Sequence, residues 1–462
     1  MGRVAGWKLH GDGRSPAPGA VVRPDERLSW GRTAGLGAQH VVAMFGATFV
    51  APVLMGLDPN LAVMMSGFAT VLFLLTTGGH IPSYLGSSLS FVGVAGVIRA
   101  QGGGSATVTG ALLVTGAVLL LCGLVVRGLG ARVVHAVLPP AVTGAVVLLI
   151  GFNLAPVAAG TYWPQDPWTA LLTLAATGIG LVALRGFLGR VAIFLGLVFG
   201  YAVSWLFDRV FGRIHSPDSA GHAVTRWRLD LGGVGKADWF GFPPTHAPDF
   251  KASAVLVALP VVIALIAENA GHVKAVGEMT GEPLDERLGT AVAADGAATV
   301  VSTAFGGPAT TTYAENIGVM AATRVYSTAA YWAAALFAIL FGLCPKFGAV
   351  VAAVPGGVLG GVTVLLYGMI GLLGARIWVD NRVDLGDPRT LVPVAAGVIM
   401  GIGDVTLTFT DTFSLSGIAL GTVVVLAGYH AAHLVRLPAA SPPPLDPPPG
   451  SGSSSASAPA GE

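Results

Sequence analysis

Along most of this chain, apolar residues run in blocks of roughly 17–25 positions broken by short polar stretches, the length that carries a helix across the hydrocarbon core of a bilayer. The blocks lie at 34–56, 60–77, 84–99, 105–126, 133–153, 168–185 and 190–211, then at 252–273, 288–305, 310–323, 327–345, 349–373, 391–408 and 412–435. They predict an all-α integral membrane protein of fourteen transmembrane segments. A long polar stretch from Arg213 to Lys251 separates the first seven from the last seven. Residues 1–32 are polar and Arg-rich, with no short apolar core before a small-residue cleavage site, and read as a flexible cytoplasmic tail. Residues 437–462 are Pro/Ser/Ala low complexity, unable to bury enough apolar surface to fold, and are predicted to be disordered.

Basic residues orient the spans. With the N-terminus inside, the short cytoplasmic loops hold Arg127, Arg132, Arg185, Arg190, Lys274, Arg287, Arg324, Arg376, Arg382 and Arg389, and the short external loops only Arg99 and Lys346. This asymmetry places both termini in the cytoplasm and 212–251 in an extracellular loop.

Two blocks are irregular, and each is third in its set of seven, so segments three and ten are expected to be interrupted with short extended stretches. GSSLSFVGV (86–94) and PATTTYAENIGV (308–319) are rich in small and hydroxyl residues. Matching interrupted segments in two halves point to a transporter's binding site. An odd repeat of seven inverts the second half, so two half-helices meet near the midplane with their free N–H groups facing each other.

Composition agrees with this reading. Apolar residues make up 53% of 462 and charged residues 11%, with a mean hydropathy of +0.73, against roughly 25% charged residues in soluble chains. The net charge of +1 gives no argument for a nucleic-acid partner. Cys122 and Cys344 sit in or beside apolar runs and read as buried free thiols.

Against that background two acids stand out, Glu268 in ALPVVIALIAENAGHV and Glu315 in the second irregular block. An ionisable group at bilayer depth is expensive and marks a functional site. Irregular backbone at that depth survives only where protein buries it or it lines a cavity. Glu268 and His272 are four apart and share a helix face, which could couple a proton to binding or make a structural hydrogen bond. No third ligand lies nearby for a metal, and no cofactor is implied. Asp295 is a candidate to support an interrupted segment from behind. His40 and Gln39 are expected to brace helix packing.

At these residues the chain resembles the nucleobase–ascorbate transporter family, also called nucleobase:cation symporter-2, and within it the bacterial uracil and pyrimidine permeases. The likeness runs from about residue 33 to 436 and rests on GLGAQHVVAMFGATFVAPVL (35–54), IPSYLGSSLSFVGV (81–94), AENAGH (267–272) and TTYAENIGVMAATRVYS (311–327). The family signature reads here Glu315-Asn316-Ile317-Gly318 followed by Thr323-Arg324, and Gln39-His40 matches a second motif. The resemblance implies two inverted repeats of seven, with a core domain from 33–126 and 252–345 and a gate domain from 133–211 and 349–436. It also implies homodimers in a bacterial-type plasma membrane and proton-coupled uptake.

The resemblance further implies that Glu268 and Glu315 hold the base, that His272 assists, and that Tyr367 is an aromatic gate residue. Backbone amides at Leu89 and Ala314 would touch the base, with Ser88 and Tyr313 beside them and Asp295, Asn316 and Gln39 behind. This chain departs from the uracil permease in having Leu89 for Phe, Ala314 for Gly and Asn269 for His. The missing ring at 89 bears on stacking and substrate choice. A glutamate at 315 accepts a ring N–H, whereas an amide, which also donates, suits a purine edge. Uracil or a related pyrimidine is therefore the expected cargo, with a xanthine or purine permease, or sodium coupling, as the alternatives. An intramembrane hydrolase would need a nucleophile with its base, or a metal cluster, and neither stands out in the spans. Gly356, Gly357, Gly360 and Gly361 are expected to form part of a stiff small-residue surface on the gate half, against which the core moves.

Overall fold

The computed structural model describes residues 6–16, 20–130, 132–185, 188–189, 191–218, 221–410 and 413–435; the side chains of 45–47, 132, 135, 314–315, 322, 410, 413–414 and 416 lie outside the description, as does the C-terminal segment predicted to be disordered. The first helices are α1 (Trp30–Ala43), α2 (Phe45–Met55) and α3 (Pro59–Thr76), followed by strand β3 (Leu85–Ser87) and α4 (Val92–Ala100). Next come α5 (Ser105–Leu129), the short α6 (Arg132–Val137), α7 (Pro140–Asn153), α8 (Pro167–Ala183) and α9 (Ala192–Phe211). Beyond the long polar stretch, which holds the short helix α10 (Gly232–Lys236), the chain continues through α11 (Ala252–Ala258), α12 (Val261–Thr280) and α13 (Leu288–Ala304). Strand β6 (Thr310–Thr312) leads into α14 (Ala314–Thr323), and α15 (Thr328–Gly342), α16 (Pro345–Ala352), α17 (Gly356–Asp380), α18 (Pro388–Ile402) and α19 (Gly417–Leu434) complete the helices. Among the described residues, eight helices are long and apolar enough to cross a membrane. A ninth is added if α15 and α16, bent by 81°, count as one span.

Local sequence starts several of these helices in one way. Asp58-Pro59, Asp166-Pro167 and Asp387-Pro388 each place a capping carboxylate before a proline, whose missing N–H costs nothing in the first turn. Asp58 Oδ1 accepts from Leu61 N at 2.8 Å, Asp166 Oδ1 from Thr169 N at 3.2 Å and Asp387 Oδ1 from Arg389 N at 2.9 Å.

Packing divides the helices into two sets. In the first, α5 lies along α13, and α15 packs on α1 and α3. In the second, α17 packs on α7 and α8, α8 on α9, and α18 on α19. Lipid tails offer no hydrophobic drive for such contacts, so close backbone approach over small residues carries them. A Cβ on Gly123 of α5 would stand 2.2 Å from Ala293 N of α13, and one on Gly371 of α17 would stand 2.5 Å from the Phe152 ring of α7. Gly356, Gly357 and Gly361 are turned toward residues 165–174, within the second set. They therefore do not form a surface toward the first set. The sets meet where α12 touches α7, where α11 touches α19 and where α9 touches α2. There Ala264 of α12 is buried in one cluster with Val142, Val146 and Ile150 of α7.

Two extramembrane stretches are more structured than their composition suggests. In the N-terminal tail, β1 (Lys8–Leu9) pairs in parallel with β2 (Glu26–Arg27). Val22 N donates to Arg324 O at 2.9 Å, Tyr326 N to Val22 O at 2.8 Å and Thr328 N to Pro24 O at 3.2 Å. Trp7 Nε1 reaches Thr328 Oγ1 at 2.8 Å. The expectation of a flexible tail is thus corrected for 20–29 and for Trp7: backbone bonds to the α14–α15 turn hold them, and a charge count cannot foresee such bonds. In the stretch after α9, hairpin β4 (Ile214–Pro217) with β5 (Ala223–Arg226) docks on the second set. Arg228 Nε lies 2.7 Å from Asp166 Oδ2, and its Nη1 lies 3.3 Å from Asp208 Oδ1. The following residues attach to the first set, through Gly241 N to Leu343 O at 3.0 Å and Asp249 N to Ala106 O at 2.8 Å.

Candidate functional site

The two irregular blocks come together as a pair of short antiparallel strands. Leu85 lies opposite Thr312, Gly86 opposite Thr311 and Ser87 opposite Thr310. Small and β-branched residues allow the backbones to pair there, and the pairing satisfies N–H and C=O groups that would otherwise be stranded at membrane depth. Ser88 N extends the ladder by donating to Ala309 O at 2.9 Å. Each strand then turns into a helix, at Leu89 through a 3₁₀ turn (Leu89–Phe91) and at Ala314 into α14. Helix starts carry unpaired N–H groups and the positive end of the dipole.

Successive strand side chains point to opposite faces, and the threonine run of β6 uses both. Thr310 faces α13. Its backbone N–H donates to Thr299 Oγ1 at 3.0 Å, and its hydroxyl lies 3.5 Å from Asp295 Oδ1. Thr311 faces α12 and donates to Glu268 Oε2 at 3.0 Å. Ser90, in the turn after β3, donates to Glu268 Oε1, also at 3.0 Å. The half-buried Glu268 carboxylate therefore touches both junctions, one oxygen to each. Behind it, Asn269 Nδ2 donates to Asp295 Oδ2 at 2.7 Å and to Leu265 O at 2.9 Å. Asp295 itself is fully buried.

His272 lies one turn beyond Glu268 and is 4% exposed, with no hydrogen-bond partner on either ring nitrogen among the described residues. The Pro82 carbonyl is close enough to interact with the ring but lies outside hydrogen-bond geometry. The structural Glu268–His272 hydrogen bond suggested by their spacing is not formed, because the carboxylate turns to Ser90 and Thr311.

Tyr313 lies beside Gly86, and its hydroxyl donates to Ser87 O, which ties the start of α14 to the end of β3. Ser88 Oγ is buried without a hydrogen-bond partner among the described residues, and Leu89 is half-buried. Asn316 Oδ1 lies 3.2 Å from His40 Nδ1, and the His40 ring stacks 4.4 Å from that of Tyr331. Gln39 is half-buried beside His40. Tyr367, on α17 of the second set, is 2% exposed; its hydroxyl has no hydrogen-bond partner among the described residues, and it shares a buried cluster with Ile266 and Tyr313 of the first set. The backbones of Ala314 and Glu315 form the first turn of α14, and their side chains lie outside the description.

Sequence reasoning did not single out Ser90, Thr311, Thr310 or Thr299, and it noted Asn269 only as a departure from the uracil permease. The available signal was the hydroxyl-rich composition of both blocks, but which hydroxyl meets which acid depends on strand register. Among the described residues, no group of three His, Cys, Asp or Glu side chains could hold a metal ion.

The fold is similar to that of solved transporters. The transmembrane domain of the cyanobacterial bicarbonate transporter BicA matches with a TM-score of 0.56 at 16% identity, over 87% of this chain and 96% of that one. The murine anion transporter Slc26a9, in its inward-facing state, matches with a TM-score of 0.62 at 12% identity, over 89% and 70%. At these identities the likeness concerns the fold alone.

Sequence relatives go further. The chain is 44% identical over 429 residues to the putative pyrimidine permease RutG of Escherichia coli K12, covering 90% of this chain and 94% of that protein. It is 36% identical over 420 residues to the uracil permease of Bacillus caldolyticus, covering 87% and 93%, and 35% identical over 416 residues to the uracil permease of E. coli K12, covering 87% and 92%. A model of the permease family matches residues 31–409. The chain therefore belongs to the nucleobase–ascorbate transporter family of permeases and is a multi-pass membrane transporter, not an enzyme.

Proposed function

We propose that this protein imports uracil, or a closely related pyrimidine base, by proton symport. The observation that carries the reading is Glu268, a half-buried carboxylate bonded to both strand-to-helix junctions, in a chain whose relatives include a putative pyrimidine permease and uracil permeases. A pyrimidine edge alternates N–H donors with carbonyl acceptors. Glu268 and Glu315 would accept the ring N–H groups, and the backbone N–H groups of Leu89 and Ala314 would donate to the carbonyls. Protonation of Glu268 would link binding to the proton gradient, with the neighbouring His272 responding to its charge. Ser88 and Tyr313 would border the base, and Asp295, Asn316 and Gln39 would hold the junctions in place.

On this reading the chain crosses the bilayer fourteen times with both termini in the cytoplasm, and β3–α4 and β6–α14 form the interrupted third and tenth segments. The first packing set acts as the core domain and the second as the gate. The core carries the base past Tyr367 as the protein, a homodimer, alternates between outward- and inward-open states around a fixed site. Uptake of labelled uracil into proteoliposomes under an imposed pH gradient, challenged with unlabelled thymine and xanthine, tests it. The expected result is gradient-dependent accumulation that excess uracil blocks and xanthine does not. Accumulation driven equally by a sodium gradient at uniform pH, or blocked better by xanthine, refutes it.

A further inference from the structure

The polar stretch between α9 and α11 is fastened to both packing sets, by two different kinds of grip. On the second set the grip is ionic. Arg228 lies between two carboxylates, 2.7 Å from Asp166 Oδ2 and 3.3 Å from Asp208 Oδ1, and the three side chains are 7–11% exposed. Asp208 also accepts from Arg228 N and Leu229 N, both at 3.0 Å. Parting such a buried pair strands a charge, so this end holds firmly. On the first set the grip is mostly backbone. Lys346 N donates to Asp238 O at 3.0 Å, Gly241 N to Leu343 O at 3.0 Å and Asp249 N to Ala106 O at 2.8 Å. A Cβ on Gly110 of α5 would stand 1.9 Å from Asp249 O, so this end is inlaid against the helix.

Between the grips, residues 230–237 are mostly exposed and contain α10. Among the described residues their hydrogen bonds stay within the segment, as from Gly232 N to Asp230 Oδ1 at 2.9 Å and from Ala237 N to Gly233 O at 3.1 Å. The helix rests beside α16, yet a Cβ on Gly233 or Gly235 would meet nothing within 4 Å. A single turn with this much glycine is the weakest part of the stretch, because glycine is a poor helix former and one turn gains little from cooperativity.

We propose that residues 228–249 form a strap between the core and the gate, with α10 as its extensible part. This rests on the reading above in which the two sets move against each other. When they separate on this side, both grips hold and α10 unwinds. A helix rises about 1.5 Å per residue and an extended chain about 3.3 Å. The five residues of α10 therefore release roughly 9 Å of chain before the strap is taut and stops the movement.

Full-length protein in proteoliposomes tests this, with initial uptake of labelled uracil measured against concentration and affinity measured by calorimetry. Gly233→Ala/Gly235→Ala stiffens α10 at two open positions. Each replacement favours the helical turn by a factor of about four to five, so the pair should lower the maximal rate by about ten-fold. Uracil affinity should stay within about two-fold of wild type, as for other surface changes. A flexible Gly/Ser insertion of about eight residues between Leu229 and Asp230 spans roughly 16 Å on average and supplies slack of its own. With it, the alanine pair should no longer slow uptake, and the insertion alone should leave the rate at or above wild type. Thermal unfolding identifies any variant that has lost its fold. A folded alanine pair with the wild-type maximal rate overturns the proposal, as does a slow alanine pair that the insertion does not rescue, or an insertion-only protein slower than wild type. Wild-type protein that takes up no uracil fails the nucleobase reading instead. Uptake at full rate with α12 cross-linked to α7 fails the relative-motion reading, so the three failures are told apart.

Discussion

Replacing Gly86 by alanine tests whether the strand pair is the scaffold of the site. A Cβ at Gly86 would stand 2.3 Å from Tyr313 Cε2, 2.7 Å from Thr48 Oγ1 and 3.1 Å from Met44 Cε. Non-bonded carbons settle at about 3.5–4.0 Å, so the Tyr313 ring must retreat by more than about 1 Å. It has little room, since the residue is 6% exposed and its hydroxyl is bonded to Ser87 O. Overpacking of this kind costs about 1–3 kcal/mol. If the ring swings far enough to leave Ser87 O unpaired, a buried acceptor adds a further ~1–3 kcal/mol. Gly86→Ala should therefore destabilise the protein by about 1–6 kcal/mol. Because α14 begins directly after Tyr313, the same displacement moves the backbone amide of Ala314 and weakens uracil binding by about ten-fold or more, a shift of ~1.4 kcal/mol upward. Thermal unfolding of the purified protein and calorimetric titration with uracil measure the two effects. Tyr313→Phe isolates the hydroxyl bond, and the Gly86→Ala/Tyr313→Ala double variant should recover the part of the loss that comes from the clash. A Gly86→Ala protein that melts and binds like the wild type would show that the pairing of these strands does not set the site's geometry.

Further outcomes follow from the same framework. Glu315→Gln should leave a folded membrane protein that binds uracil at least about ten-fold more weakly, and an unchanged calorimetric affinity would remove Glu315 from the ligand set. Glu268→Gln should abolish accumulation driven by a pH gradient while sparing some uracil exchange, which needs no net proton movement; full accumulation in proteoliposomes would exclude Glu268 as the proton carrier. A disulfide engineered between Ala264 of α12 and the Val142–Ile150 face of α7, where the two sets meet, should stop uptake when oxidised and restore it when reduced, and undiminished uptake with the bond formed would rule out relative motion at that contact. The hydrogen bond from Arg389 holds the Asp387 carboxyl below its usual range. That cap therefore contributes fully above the ordinary aspartate value of about 3.9 and is lost as pH falls through the lower folded value, so Asp387→Ala should flatten the acid limb of a stability-versus-pH curve.

The sequence by itself determined the membrane class and the positions of the apolar helices. Hydropathy over a span is a sum of local terms, and caps such as Asp58-Pro59 and Asp166-Pro167 act within three residues. It also drew attention to Glu268 and to the two hydroxyl-rich blocks, because an acid or an irregular backbone at membrane depth is conspicuous in any context. Only the tertiary structure decided which residues of those blocks are strands and that the two strands pair with each other. Three residues such as Leu85–Ser87 have no helix-like or strand-like preference worth the name until a partner satisfies their backbone groups, and that partner lies on the far side of the chain; the Tyr313–Ser87 bond closes a separation of 226 positions. Register then assigned Thr310 to Asp295 and Thr311 to Glu268, turned Glu268 away from its helical neighbour His272, and selected Ser90 as its other donor. The docking of Val22 on Arg324 and of Arg228 on Asp166 is likewise non-local. Local composition records that such segments are polar, while the surface they bind is built by helices distant in sequence.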